Sequence, residues 1–232
     1  MLSPTAAETP QLMSAPIRKP ADDPLSLITR FANLFRRLWM VSTYPFVSVG
    51  KGFRVHYTCD LRRRTAAGVK IGDAVWIESD VWINIPELRP NAEPVIIFED
   101  GCKVGRRCVI SAMNRIHFEK NVIFAPSVLV MDHNHGYEDV TRPIVDQGVT
   151  EGGTIRIEEG AWIGFGVAIV CNKGELVIGK NSVIGANSVL TRSVPPYSIV
   201  SGNPGRVVKR YDFAKGKWVL GAGVLAESAK QS

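Results

Sequence analysis

Residues 71–84 read IGDAVWIESDVWIN: two hexads in succession, each opening on isoleucine, carrying valine at the fifth place and closing on tryptophan. The same unit returns down the chain as FEDGCK, VGRRCV and ISAMNR from Phe98, then as FEKNVI, FAPSVL and VMDHNH from Phe118. It resumes as IEEGAW, IGFGVA and IVCNKG from Ile157, and as IGKNSV, IGANSV and LTRSVP from Ile178. Ile116 and His117 shift the phase once, and KGELVIG carries a second, three-residue insertion. A bulky apolar residue at every sixth position fits neither the three-and-four step of an amphipathic helix nor the two-step of a half-buried strand. It predicts short flat sides with one inward anchor each. Three sides close a triangular coil of about 18 residues, which stacks on the next by parallel backbone pairing. Gly, Asn and Asp after the anchor are expected to supply the corners.

The flanks differ in composition. Residues 1–23 are rich in Pro, Ala, Ser and Thr and read as a flexible arm, without the charged-then-apolar order of a secretory signal. Residues 24–46 form an amphipathic helical segment: after Pro24, the residues Leu27, Phe31, Leu34, Phe35, Leu38 and Trp39 recur at helical spacing, flanked by Arg30, Arg36 and Arg37. This stripe is expected to pack on its own domain or on a neighbouring subunit. A peripheral membrane contact through residues 24–42 is the alternative, because a basic helix with Trp and Phe suits an interface. Residues 47–210 hold the coils, interrupted by a loop over 134–154, and residues 211–232 read as a C-terminal tail. An interruption of that size in a compact solenoid points to function.

Composition narrows the field. The 232 residues carry a formal net charge of +6, which suits an anionic partner. The basic residues are not interleaved with stacking aromatics along one groove, so nucleic acid is not expected. The four cysteines, Cys59, Cys102, Cys108 and Cys171, show no metal spacing and read as inert reduced thiols, favouring a cytoplasmic setting.

IGDAVW, IGKNSV and IGANSV resemble the hexapeptide-repeat acyltransferases, most of all the galactoside, maltose and polysaccharide O-acetyltransferases. HGYEDVTRPI resembles that family's extended loop, in which a His precedes an Arg by seven residues, here His135 and Arg142. IEEGAWIG resembles the strand that re-enters the coil, and VIGANSVLTRSVPPYSIVSGNPGRVVKR resembles the coenzyme-binding run. The likeness spans about residues 71–210 and implies a left-handed parallel β-helix, a homotrimer with sites at subunit junctions, and acetyl-CoA as donor. It implies direct attack by an acceptor hydroxyl, without an acyl-enzyme. Two departures stand out: the KGELVIG insertion, expected to bulge near the coenzyme groove, and Gly205 where Ala or Cys is usual, expected to be harmless.

Such a transfer needs a base for the hydroxyl proton, and histidine suits it. His135 is the expected base and His133 the alternative, with Asp132 or Asn114 as orienting or auxiliary groups. By resemblance, Tyr137, Glu138, Asp139 and Arg142 are acceptor candidates. Trp162, Ala186, Thr191, Arg192, Arg206 and Lys209 are the coenzyme candidates, the basic members answering its phosphates. No metal is expected. A sugar or polysaccharide hydroxyl is the favoured acceptor, at the cytoplasmic face of the membrane or in the cytoplasm. Amino-sugar N-acylation and serine acetylation are alternatives within the class. A non-catalytic scaffold, or a β-helical zinc carbonic anhydrase with His117 and His135 stacked one coil apart, are the alternatives outside it.

Overall fold

A computed structural model describes residues 25–87 and 93–220. The segment 1–23, Pro24 and the last part of the expected tail lie outside the described residues.

The hexads build three sheets of short strands, of six, nine and six members, visited in rotation by the chain and parallel except for the last two strands of the nine. The first runs from Ser48–Val49 through Val69–Ile71, Ile96–Phe98, Arg115–Phe118 and Thr154–Ile157 to Glu175–Ile178. The second begins at Arg54–Val55 and the third at Asp60–Leu61, each taking one strand per turn. Registers place the hexad openers in vertical columns. Ile71, Phe98, Phe118, Ile157 and Ile178 stack along the first sheet. Ile83, Ile110, Val130, Ile169 and Leu190 do so along the third. All of them are buried, together with the fifth-place residues Val75, Val81, Cys102, Cys108, Val122 and Val128. Each coil therefore contributes its anchors to one continuous apolar prism. The rings of Phe98 and Phe118 stack within it at 4.8 Å.

The corners divide their work in a way the repeat does not announce. The residue at the fourth place takes left-handed backbone angles, as at Ala74 (φ 54°), Arg107 (φ 57°) and Asn187 (φ 58°). Glycine at the second place does something else: a Cβ on Gly72 would stand 2.8 Å from the backbone nitrogen of Asp100 in the next coil. Second-place glycines answer close stacking, and fourth-place residues carry the turn.

The phase shift at Ile116 and His117 lengthens a strand, with Ile116 and Phe118 both inward and His117 between them. His117 bonds Glu99 through Nε2 at 2.8 Å on the face of the first sheet, while His135 lies in the extruded loop. The two do not stack as a shared metal site would require. The KGELVIG insertion is absorbed at a corner over residues 171–174, after which the register resumes with Thr154 opposite Glu175. The thiols of Cys59 and Cys108 are pushed up to about 11, and that of Cys102 to about 12, by burial. They are poor nucleophiles there.

Two expectations change. Residues 211–220 are not a tail: Arg206–Asp212 turns back antiparallel on Ser198–Ser201 and pairs with Lys217–Leu220. Tyr197, Phe213, Tyr211 and Trp218 join edge to face and cap the last coil. The N-terminal helix, Leu25–Thr43, does not pack its apolar stripe on its own coil either, which leaves a neighbouring subunit or the membrane as its expected partner. Leu27, Phe31, Leu34, Phe35, Leu38 and Trp39 face solvent, and Met40 is the buried anchor.

Candidate active site

The third sheet ends its fourth strand at Leu129–Met131, and there the chain leaves the coil. Asp132, the next residue, is fully buried. Its Oδ1 accepts the backbone N–H of Met113 at 2.7 Å, and its Oδ2 accepts those of Asn114 and Arg115 at 2.9 and 2.8 Å. One carboxylate thus satisfies three donors of the corner in the coil below, each costly to leave unpaired. Gly153, where the loop returns, donates its N–H to the Asp132 carbonyl at 2.7 Å. The exit and re-entry of the loop are fastened to the same residue.

His133 hangs from this hub. Its Nδ1 lies 3.0 Å from Asp132 Oδ1, and its side chain keeps 9% exposure beside a carboxylate that has none. An Nδ1–H donated to the carboxylate leaves Nε2 with its lone pair, the tautomer a base needs. His135 sits differently. It is exposed, Nδ1 is 3.3 Å from the Gly148 carbonyl, and its backbone bridges Val149 across the neck of the loop. Asn114 projects from the corner that binds Asp132. It lines a cleft of about 320 Å³ with Glu87, Glu93, Met113, Arg115 and Thr154.

The loop has structure of its own. A 3-10 turn covers Ile144–Gln147, and the Gln147 side chain binds both the N–H and the carbonyl of Asp139, at 3.0 and 2.8 Å. Asp139 accepts the N–H and hydroxyl of Thr141, which hold its carboxyl below the usual carboxylate range. Arg142 donates to the Asp146 carbonyl. Two of the four acceptor candidates are thus engaged in folding the loop, whereas Tyr137 and Glu138 are exposed on it.

The coenzyme candidates fall into two groups. Thr191, Arg192 and Arg206 come together with Gly205 around a cavity of about 50 Å³ at the last coil. Trp162 and Ala186 lie apart from it, outward on the second sheet and at its following corner, both exposed. Lys209 is exposed on the terminal hairpin opposite Ile199. Gly205 is fitted closely, since a Cβ there would press on the Leu190 side chain. What sequence reasoning underrated was Asp132. Its signal was an aspartate ending the last regular strand before the loop, but its three backbone partners lie 17 to 19 residues earlier.

No protein-family model matches the chain. A Mycobacterium tuberculosis protein named for acetyl transfer is 30% identical over 190 residues, covering 82% of this chain and 57% of its own length. An Escherichia coli protein named for O-acetyl transfer in lipopolysaccharide biosynthesis is 27% identical over 130 residues, covering 53% of this chain and 65% of its own. The matches thus span only 57% and 65% of these two curated relatives. Among solved structures, the Bacillus cereus N-acyltransferase AntD in complex with dTDP and 3-hydroxybutyryl-CoA superposes with a TM-score of 0.59 at 17% identity. It covers 81% of this chain and 92% of AntD. A variant of AntD holding dTDP-4-amino-4,6-dideoxyglucose and coenzyme A gives 0.61 at 16% identity, over 84% and 96%. That likeness is one of fold, the left-handed parallel β-helix.

Proposed function

The chain belongs to the hexapeptide-repeat acyltransferase family, and from that premise we propose that it moves an acetyl group from acetyl-CoA to a hydroxyl of a sugar or polysaccharide precursor. The observation that carries this reading is the imidazole of His133, held by a buried carboxylate that three backbone N–H groups hold in turn. A base so fixed loses little freedom when the acceptor arrives. We assign the base to His133 rather than His135, because His135 is exposed and its ring has only a long contact to a carbonyl.

His133 takes the acceptor proton at Nε2 as the hydroxyl oxygen bonds the acyl carbon, and Asp132 stabilises the imidazolium that results; as the tetrahedral intermediate collapses, the carbon–sulfur bond breaks and the imidazolium gives that proton to the departing coenzyme A thiolate. Acetyl-CoA supplies the thioester. Asn114, on the corner fastened to Asp132, is the auxiliary group in this reading, its side-chain amide a donor to the reacting groups. Thr191, Arg192 and Arg206 gather hydroxyl and guanidinium donors suited to the donor's phosphates. Trp162, Ala186 and Lys209 would extend that contact, and Tyr137, Glu138, Asp139 and Arg142 would wall the acceptor from the loop.

The assembly is a homotrimer in this reading, since the flat sides leave Trp76, Trp82 and Trp162 exposed. The enzyme works in the cytoplasm with a peripheral contact at the inner membrane face through residues 24–42. No described helix is long and apolar enough to cross a membrane.

Thiol release from acetyl-CoA, measured over a panel of sugars and amino sugars, tests the reading. The expected product is lost on treatment with hydroxylamine, as an ester is. A product that survives hydroxylamine assigns amino-sugar N-acylation instead. No release with any acceptor, or turnover kept in His133→Ala, ends the proposal.

A further inference from the structure

Apart from Met40, the N-terminal helix lies against the coil with polar residues that ordinarily meet water. Asn33 accepts the backbone N–H of Tyr57 at 2.9 Å, and the Arg36 guanidinium stands 5.7 Å from the centre of the Tyr44 ring. The opposite side exposes Leu27, Phe31, Leu34, Phe35, Leu38 and Trp39, at 46% to 70% each. A surface helix normally buries such a stripe and turns its polar face outward. Here the arrangement is reversed, and the contiguous apolar face is free for a partner.

Charge selects the partner. The helix carries Arg30, Arg36 and Arg37 and not one acidic residue. Arg30 and Arg37, two turns apart, follow one edge of the apolar face and meet Arg54 of the coil across a shared cleft in which Glu78 is the one carboxylate against the three guanidinium groups. A second copy laid on this face would bring guanidinium groups together with no carboxylate on either helix to answer them. Anionic headgroups answer them, and acyl chains take up the Phe and Trp side chains. We propose that this reversed face docks the protein on an anionic lipid bilayer, the helix lying in the plane of the headgroups. The inference rests on the membrane contact proposed above and specifies its face, its residues and the lipid charge it takes. It does not depend on acetyl transfer.

The test is co-sedimentation of the full chain with vesicles of phosphatidylcholine alone and of phosphatidylcholine mixed with phosphatidylglycerol. The wild type is expected to partition at least about tenfold more strongly onto the mixed vesicles, and less so as salt rises. Phe31→Gln/Phe35→Gln, which alters exposed positions and leaves thermal unfolding unchanged, lowers partition about a hundredfold. Arg30→Gln/Arg37→Gln brings the mixed vesicles down to the level of phosphatidylcholine. A wild type that stays in the supernatant with both vesicles overturns the proposal. So does a double Phe variant that partitions like the wild type, or one whose solution mass falls while partition is unchanged, which gives the face to a second copy. Transfer to a soluble acceptor is read separately: its loss with partition intact counts against the active-site reading and leaves this one standing.

Discussion

His133 and His135 are separated by a single residue, yet they belong to different parts of the molecule. The first is tied through Asp132 to a corner of the preceding coil, so its position is set by the same parallel stacking that builds the prism. The second stands on the neck of an extruded loop, where its ring meets one carbonyl and solvent. The contrast teaches that a catalytic group on a solenoid is most precise where the coil, not the loop, holds it.

The largest expected effect breaks the comparison outright if it fails. His133→Ala should lower kcat by about 10³-fold, within the range for a lost general base, with KM for acetyl-CoA nearly unchanged in steady-state assays. Asp132→Asn comes next. It keeps the volume but loses the charge that supports an imidazolium, and kcat should fall by about 10²-fold. Asp132→Ala should also cost at least about 3 kcal/mol in urea unfolding, because three backbone N–H groups are left without a partner. Arg192→Gln/Arg206→Gln separates donor binding from base chemistry: KM for acetyl-CoA should rise about tenfold with kcat kept. The smallest effect belongs to His135→Ala, expected within about threefold of wild type in kcat, since no charged partner or buried network goes with it. A drop for His135→Ala as large as for His133→Ala would reverse the assignment.

Loop order adds a pH arm to the same contrast. Asp139 is held ionised by the hydroxyl and N–H of Thr141. A carboxyl depressed in the folded state contributes order that is complete above the ordinary carboxylate range and is lost as pH falls through the depressed value. Limited proteolysis within residues 134–152 should therefore stay constant from neutral into mildly acid pH and quicken only below that range.

Much of this protein was legible in one dimension because a β-helix makes sequence distance and spatial distance nearly proportional. A sixfold period names the anchors, and Ile71, Phe98 and Phe118 fall into one column without any knowledge of the rest. The loop was legible as an absence of period, and Thr191, Arg192 and Arg206 as a run close in sequence that remains close in space. The base was not. The loop motif drew attention to His135 by its spacing to Arg142, but that arginine bonds the Asp146 carbonyl on the exposed loop itself.

The sequence by itself determined the coil, because each hexad repeats a local demand: one apolar anchor, a residue tolerant of left-handed angles, and a small residue where coils touch. Only the tertiary structure decided which histidine is fixed and which way the N-terminal helix faces. Both depend on partners brought in from other coils, Asp132 reaching the corner at Met113 and Tyr57 reaching Asn33. A period along one strand cannot specify hydrogen bonds that form across the stack.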